Sequence, residues 1–183
     1  MEPKVLLTAD RMSVMIRRIA YELYENYTDF DNTAIIGLQP RGIIFARRVH
    51  AMLQEISGNN AILFGELDVT FHRDDFRRSN EPLTPSVNTM NFIIEGKRVI
   101  LMDDVLFTGR SIRAAMDALT TYGRPAKVEL AVLIDRRYSR ELPIEPDYTG
   151  EAVDTRANDK VKVEWKEKNG IDCVWLLTVD GNK

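Results

Sequence analysis

Thiols and imidazoles are scarce in this sequence. Its 183 residues include one cysteine, Cys173, and two histidines, His50 and His72. A single cysteine cannot form an internal disulfide bond, and three soft ligands are too few for a closed zinc site. A hard cation that arrives with a phosphate substrate is compatible with this composition, because it needs only oxygen ligands. The composition therefore argues against a disulfide-rich scaffold and against a structural zinc protein.

Long apolar runs and a strong charge of one sign are also missing. No stretch approaches the roughly 20 apolar residues of a membrane span. The first residues, Met-Glu-Pro-Lys, do not form the apolar region of a signal peptide. The net charge of −3 gives no general attraction to nucleic acid, so an RNA-binding role would need a local basic patch. We therefore expect a cytoplasmic protein without membrane contact.

The apolar residues that are present alternate between helical and strand patterns. Asp10 can cap a first helix with an apolar stripe from Met12 to Tyr27, and a second helix is predicted at 42–56. Such alternation is typical of an α/β fold with a mostly parallel central sheet flanked by helices. The length favours one domain over 1–183, with a core at about 10–150 and C-terminal strands at about 151–183. Strands are predicted at 33–38, 61–70, 99–102 and 128–134, and at 161–165 and 173–179, which pair around Asn169-Gly170 as a small antiparallel addition.

The run from Val99 to Ser111 combines two ligand chemistries on one turn. Four apolar residues form a buried strand, and Asp103 and Asp104 then offer adjacent carboxylates that can accept hydrogen bonds from a sugar diol. Thr108-Gly109-Arg110-Ser111 opens a helical pattern, and backbone N–H groups at a helix start receive phosphate. In isolation the two aspartates would be solvated turn residues, but the loop at this fixed distance favours a site for a phosphorylated ribose.

This run resembles the phosphoribosyl-pyrophosphate (PRPP) signature of the type I phosphoribosyltransferases. The wider sequence is similar to the PyrR group, which comprises bifunctional pyrimidine operon regulators and uracil phosphoribosyltransferases. The resemblance extends from about Asp10 to about Gly150 and implies the type I phosphoribosyltransferase fold, with a C-terminal hood. The segments that carry it, besides the run itself, are Gly65–Asp75, Ala114–Leu119, Gly123–Pro125, Leu130–Arg136 and Arg140–Ile144.

The resemblance implies a role for each part of the site. Asp103 and Asp104 hold the ribose 2′- and 3′-hydroxyls, and a loop after the first parallel strand binds pyrophosphate through Arg41. Mg²⁺ is the implied cofactor, held through PRPP and water rather than directly by the protein. The implied PRPP-binding residues are Gln39, Pro40, Arg41 and Gly42 in the pyrophosphate loop, and Val105, Leu106, Phe107, Thr108, Gly109, Arg110 and Ser111 after the aspartates.

Two further segments are expected near the substrate. The polar stretch from His72 to Asn91 lacks periodicity, and loops of that length are usually functional. By resemblance it is a lid that carries Arg73, Asp74 and Asp75, with Arg73 as a catalytic contact to pyrophosphate. Asp135, Arg136 and Arg137 end a strand at the same edge of the sheet and are expected near the base pocket, by analogy.

The implied reaction is uracil + PRPP → UMP + pyrophosphate. Phe107 is aromatic where similar purine enzymes have a carboxylate, which argues against a hypoxanthine-type enzyme. A Gly-x-Ser-x-Gly nucleophile elbow is disfavoured, because Gly109-Arg110-Ser111-Ile112-Arg113 lacks its second glycine. Transfer to another base remains open, and a homo-oligomer is expected from the family.

An RNA-binding regulator with a nucleotide effector is the alternative from another functional class. In the family a basic surface on the first helix and after the Tyr-x-Gly segment meets the RNA. Here Arg17 and Arg18 provide basic residues on the first helix, but Gly150–Arg156 contains two acidic residues. Because each lost phosphate contact weakens RNA binding, the sequence favours the enzyme over the regulator.

Overall fold

The computed structural model describes residues 2–69, 89–156 and 158–178, which form two β-sheets and four α-helices. The larger sheet has five parallel strands in the order β3-β2-β4-β5-β6, and the smaller one has three antiparallel strands in the order β1-β8-β7. The strands are β1 (Glu2–Leu7), β2 (Thr33–Gln39), β3 (Leu63–Asp68), β4 (Arg98–Leu106), β5 (Lys127–Arg137), β6 (Tyr148–Asp154), β7 (Lys160–Glu164) and β8 (Cys173–Thr178). The helices are α1 (Ala9–Asn26), α2 (Gly42–Ser57), α3 (Arg110–Leu119) and α4 (Lys166–Asn169), and a 3₁₀ turn (Thr120–Tyr122) follows α3.

The parallel sheet is covered on both faces. Ile35 and Ile100 pack with α1 and α2 on one face, whereas Ile36 and Leu101 pack with α3 on the other. Both faces of β2 are apolar for this reason, and all seven of its residues are buried. The predicted α/β fold with a mostly parallel sheet and flanking helices is thereby confirmed.

The smaller sheet is the predicted antiparallel hood, and its β7–β8 pair is the predicted one. The predicted turn at Asn169-Gly170 is wrong, because Asn169 ends the short helix α4 and Gly170 caps it at φ 80°. No strand was predicted at β1, which pairs with β8 at the edge of the hood. The N-terminal strand and the C-terminal strands thus build one small sheet.

Three other local predictions require correction. Asp10 lies within the first turn of α1, whose N-cap is Thr8, and no side chain caps this helix. β4 continues through Asp103 and Asp104 to Leu106, so the carboxylates lie within the strand rather than after it. β6 forms the parallel edge of the main sheet, although no strand was predicted there. None of the helices within the described residues is long and apolar enough to cross a membrane.

Candidate active site

The topology brings the predicted loops to one edge of the parallel sheet. β2 and β4 are neighbours, but β2 connects onward to β3 on one side and β4 connects to β5 on the other. The carboxyl ends of β2 and β4 therefore flank a topological switch point, where open α/β sheets bind ligands. The segment 39–42 follows β2, the segment 107–111 follows β4, and the end of β5 lies beside them.

The two aspartates of β4 form a carboxylate pair at this edge, in which Asp104 is buried and Asp103 is partly exposed. Asp104 is 4% exposed, and its backbone N–H donates to Oδ1 of Asp103 at 2.9 Å. Burial raises the pKa of Asp104 to about 6, although the nearby guanidinium of Arg41 opposes the shift. Burial and the charge of Asp104 also raise the pKa of Asp103. A diol that donates hydrogen bonds to both carboxylates would replace the water that burial removes.

The segment after β4 forms a cradle at the start of α3. Gly109 is the N-cap residue and has φ 89°, a left-handed conformation that favours glycine. The backbone N–H of Arg110 lies 3.4 Å from Oγ1 of Thr108, and the first turn of α3 opens towards a cleft of about 340 Å³. A helix start with hydroxyl and guanidinium groups around it is a phosphate-binding arrangement. The cleft is lined by Asp103, Val105, Leu106, Phe107, Thr108, Gly109, Arg110, Ser111, Ile112 and Glu141.

The segment after β2 approaches the carboxylate pair closely. Arg41 is the exposed N-cap residue of α2, and its positive charge acts on both aspartates. The Gln39–Pro40 peptide bond is cis. A Cβ at Gly42 would lie 2.6 Å from the carbonyl oxygen of Met102 and 2.7 Å from Cα of Asp103. Only glycine therefore allows the start of α2 to pack against the backbone of β4 at the carboxylates.

A further arginine, Arg140, contacts the backbone of the cradle. The Arg140 side chain donates from Nη1 to the carbonyl oxygens of Leu106 at 3.3 Å, Phe107 at 2.6 Å and Arg136 at 3.1 Å. Its Nη2 pairs with the carboxylate of Asp135, and its Nε donates to the Ile144 carbonyl oxygen at 2.9 Å. One guanidinium thus ties the end of β4 to the end of β5.

The residue after Arg140 contacts the cradle directly. The Glu141 carboxylate pairs with Arg110, at 2.6 Å from Nη2 and 2.7 Å from Nε, and it lines the cleft. The backbone N–H groups of Glu141 and Leu142 both donate to the Thr108 carbonyl oxygen. Arg140 and Glu141 are contact residues that the sequence analysis missed, although the Arg140–Ile144 segment was among those that carried the family resemblance.

The end of β5 contains three differently placed side chains. The Asp135 carboxylate is occupied by Arg140, and Arg137 is exposed. Arg136 is buried, with its guanidinium carbon 3.8 Å from the centroid of the Phe107 ring. Of the three residues expected near the base pocket, Arg136 therefore contacts a cleft residue through its side chain, and Asp135 is linked to the cradle through Arg140.

The comparisons with known proteins agree with this arrangement. Residues 5–168 match the family described as the phosphoribosyl transferase domain. The bifunctional protein PyrR of Desulfosudis oleivorans is 44% identical over 173 residues, which are 94% of this chain and 95% of that protein. The chain belongs to the phosphoribosyltransferase family, in its PyrR group. The bifunctional protein PyrR of Elusimicrobium minutum is 41% identical over 95% of this chain and 96% of its own length.

Solved phosphoribosyltransferases share the fold at much lower identity. A hypoxanthine phosphoribosyltransferase from Staphylococcus aureus superposes with a TM-score of 0.70 at 16% identity, over 96% of this chain and 92% of that one. The hypoxanthine phosphoribosyltransferase of Trypanosoma cruzi superposes with a TM-score of 0.71 at 18% identity, over 96% of this chain and 91% of its own. The fold and the family together make the protein a phosphoribosyltransferase that catalyses PRPP-dependent transfer.

Two further expectations concern the lid and the Mg²⁺ site. Arg73, Asp74 and Asp75, the predicted lid residues, lie outside the residues that the structure describes. Within 2–69, 89–156 and 158–178, no group of three or more histidine, cysteine or acidic side chains forms a metal site. Asp103 and Asp104 place hard carboxylate oxygens beside the cleft, and this polar setting fits Mg²⁺ that is held through substrate oxygens and water.

Proposed function

We propose that the protein transfers a phosphoribosyl group from PRPP to uracil, which yields UMP and pyrophosphate. The observation that carries the proposal is the single cleft in which the Asp103 carboxylate, a phosphate cradle and the apolar ring of Phe107 adjoin, with the buried Asp104 next to Asp103. A purine base is disfavoured there because position 107 provides no carboxylate beside the base. The name bifunctional protein PyrR, which relatives over 40% identical bear, supports the assignment to pyrimidines.

The carboxylate pair acts on the ribose in this proposal. Asp103 and Asp104 accept hydrogen bonds from the 2′- and 3′-hydroxyls and thereby fix the sugar with C1′ between base and pyrophosphate. Positive charge develops on the ribose when the C1′–oxygen bond breaks, and the adjacent carboxylates stabilise this charge. No covalent protein nucleophile is required, because positioning and electrostatics lower the barrier.

The two loops hold the phosphate groups in the same proposal. The start of α3, with Thr108 and Ser111, binds the 5′-phosphate, and Arg110 exchanges its Glu141 partner for that phosphate. Arg41, at the start of α2, binds the pyrophosphate that leaves. Mg²⁺, when bound through PRPP and water beside Asp103 and Asp104, neutralises the charge of the leaving group.

The assignment of Arg41 can be tested by its selectivity. Arg41→Ala should weaken the binding of PRPP and pyrophosphate by at least about tenfold while UMP affinity changes less than about twofold, since UMP lacks the pyrophosphate. Calorimetry with the three ligands measures this difference. Arg98→Ala, at the opposite end of β4, is the matched control. An equal loss of UMP affinity would show that Arg41 has another role.

A second function, the binding of pyrimidine-gene leader RNA, has one structural observation in its favour. Arg18 of α1 donates to the carbonyl oxygens of Thr149 at 2.6 Å and Gly150 at 2.7 Å. The first helix and the 150–156 segment, which the resemblance implicates separately, therefore form one continuous surface. Its charge is mixed, because the carboxylate of Glu151 pairs with Arg11 at 3.2 Å.

RNA binding can be measured by a gel shift with a pyrimidine-operon leader RNA, first at low salt and then at increasing salt concentrations. Specific binding should weaken as salt rises, because phosphate contacts release counterions. Arg17→Ala should reduce the salt slope, whereas Lys4→Ala, in the hood, should not. No shift at low salt would exclude the regulatory function and leave the enzyme.

A further inference from the structure

A buried positive charge lies beneath the aromatic ring that lines the cleft. The guanidinium carbon of Arg136 is 3.8 Å from the centroid of the Phe107 ring. Arg136 is 4% exposed, whereas Phe107 is 39% exposed and forms part of the cleft wall. The cation covers one face of the ring, so the opposite face is the one on which a planar ligand can stack.

The guanidinium is fixed by partners outside the cleft. Nε donates to Oγ1 of Thr155 at 3.0 Å, and Nη2 donates to the carbonyl oxygen of Asp159 at 2.9 Å. Neither Thr155 nor Asp159 lines the cleft. Burial lowers the pKa of Arg136 while the Asp159 carboxylate opposes the shift, and an arginine still stays protonated at every pH at which proteins function. A full positive charge is therefore held behind the ring.

We propose that Arg136 is a positioning residue that acts through Phe107 to stabilise the anionic form of a pyrimidine base stacked on that ring. A cation draws ring electrons towards itself, so the face that meets the base becomes less negative. A base that has lost its N1 proton is then attracted to this face, whereas a carboxylate at position 107 would repel it. The proposal rests on the proposed function.

The charge that this arrangement stabilises arises in the transfer itself. Uracil N1 loses its proton to water and forms the bond to C1′, while the C1′–oxygen bond breaks and its electron pair leaves with pyrophosphate. Negative charge on the base is therefore greatest just before N1 bonds to C1′. A fixed charge behind the stacking ring requires no reorganisation at that moment, which is the condition for effective electrostatic stabilisation.

The test compares bases of different N1 acidity. Arg136→Met should lower kcat/KM for uracil by roughly tenfold, but that for the more acidic 5-fluorouracil and 6-azauracil by less than about threefold. An acidic base ionises without assistance and gains less from the cation. Arg136→Lys should recover part of the loss for uracil, because it restores a positive charge. An equal loss for all three bases would assign Arg136 to the fold alone and overturn the inference.

Arg48 provides a matched control, because it is a second arginine stacked on an aromatic ring. Its guanidinium carbon is 4.8 Å from the Trp165 ring centroid, between α2 and the hood. Arg48→Met removes a comparable stack away from the cleft, so any loss that it causes should be the same for each base. If wild-type protein does not turn over uracil at all, the proposed function fails rather than this inference.

A second variant keeps the inference testable if Arg136→Met does not fold. Phe107→Leu removes the exposed ring while keeping an apolar side chain, and it should reproduce the dependence on base acidity. Where Arg136→Met does fold, adding it to Phe107→Leu should produce no further base-dependent loss, because the cation has no ring through which to act. A loss for uracil as large as in the wild-type background, or no acidity dependence in Phe107→Leu, would overturn the inference.

Discussion

At the scale of single residues, the buried carboxylate of Asp104 lowers the stability of the protein but suits the binding of a ligand. This carboxyl group is buried beside that of Asp103, and burial raises its pKa from the ordinary value of 3.8 to about 6. Above this pH the folded protein must hold a charge that water would solvate better. In the proposed function, the same desolvated charge accepts hydrogen bonds from the ribose diol.

Asp104→Asn should therefore stabilise the protein and weaken PRPP binding. At pH 7.5 the carboxyl is ionised in both states, so its removal should raise the free energy of unfolding by about 3 kcal/mol. As the pH falls from 6 to 4, the folded wild type takes up a proton before the unfolded chain does and gains stability, so the difference should vanish below about pH 4. Urea unfolding at several pH values measures the first effect, and calorimetry with PRPP should give at least about tenfold weaker binding.

Asp117→Asn is the control for this experiment, because Asp117 is an exposed residue of α3 that pairs with Arg113 at 3.2 Å. Its effect on the free energy of unfolding should stay within about 0.5 kcal/mol. If Asp104→Asn is less stable than the wild type at pH 7.5, the account of the buried carboxylates is wrong.

Gly42 tests the close approach of α2 to β4. Gly42→Ala would force a methyl group to within 2.7 Å of Cα of Asp103, and backbone atoms of a central strand cannot move aside cheaply. We expect a loss of about 1–3 kcal/mol in the free energy of unfolding and weaker PRPP binding. Gly58→Ala is the matched control, because Gly58 has φ 68° and open space around it. It should cost about 1 kcal/mol without altering PRPP affinity; a similar PRPP effect in both variants would remove Gly42 from the site.

At the scale of elements, the cradle depends on a segment that follows β5. Arg140 satisfies carbonyl oxygens at the end of β4 and the carboxylate of Asp135, and the next two backbone N–H groups donate to Thr108. Residues more than thirty positions apart in the chain thus hold the cradle in shape. The cradle residues could be predicted because they are contiguous in the sequence, whereas the support from Arg140 arises only when β4 and β5 pair in the folded sheet.

Arg140→Gln should lower both the stability of the protein and the stabilisation that PRPP confers. Loss of the guanidinium leaves several carbonyl oxygens and one carboxylate unpaired, which should lower the free energy of unfolding by about 2–4 kcal/mol. The thermal stabilisation conferred by PRPP should also decrease. Arg48→Gln breaks a comparable network with Glu167 and Asp172 at the hood and should cost similar stability with an undiminished PRPP response. An unchanged PRPP response in Arg140→Gln would mean that the cradle keeps its shape without this arginine.

The elements differ in how far the sequence reveals them. The buried parallel strands were predicted well because their apolar runs are short and continuous, as in β2 and β5. β1 and β6 were missed because neither has a continuous apolar run: β1 begins with Glu2-Pro3-Lys4, and β6 contains Glu151 and Asp154. Asp10 was assigned as a cap from residue type alone, whereas the N-cap is Thr8, two residues earlier.

At the scale of the whole molecule, the two sheets share one apolar core. Leu7, Trp165 and Val174 of the hood region belong to the same buried cluster as Ile35 and Ile100 of the parallel sheet. Arg48 of α2 adds ion pairs to Glu167 and Asp172 at the base of the hood. The hood is therefore joined to α2, the helix that follows the segment 39–42, by ion pairs and by a shared apolar core.

The measurement that tests the central claim most directly is steady-state phosphoribosyl transfer with PRPP and Mg²⁺. Uracil, orotate, hypoxanthine, guanine, xanthine and adenine are supplied in turn, and release of pyrophosphate is followed with wild-type protein and with Asp104→Asn. The account predicts turnover with uracil and none with the purines, and a loss of at least about a hundredfold in kcat/KM in the variant. Turnover with a purine, or undiminished turnover in Asp104→Asn, would contradict it.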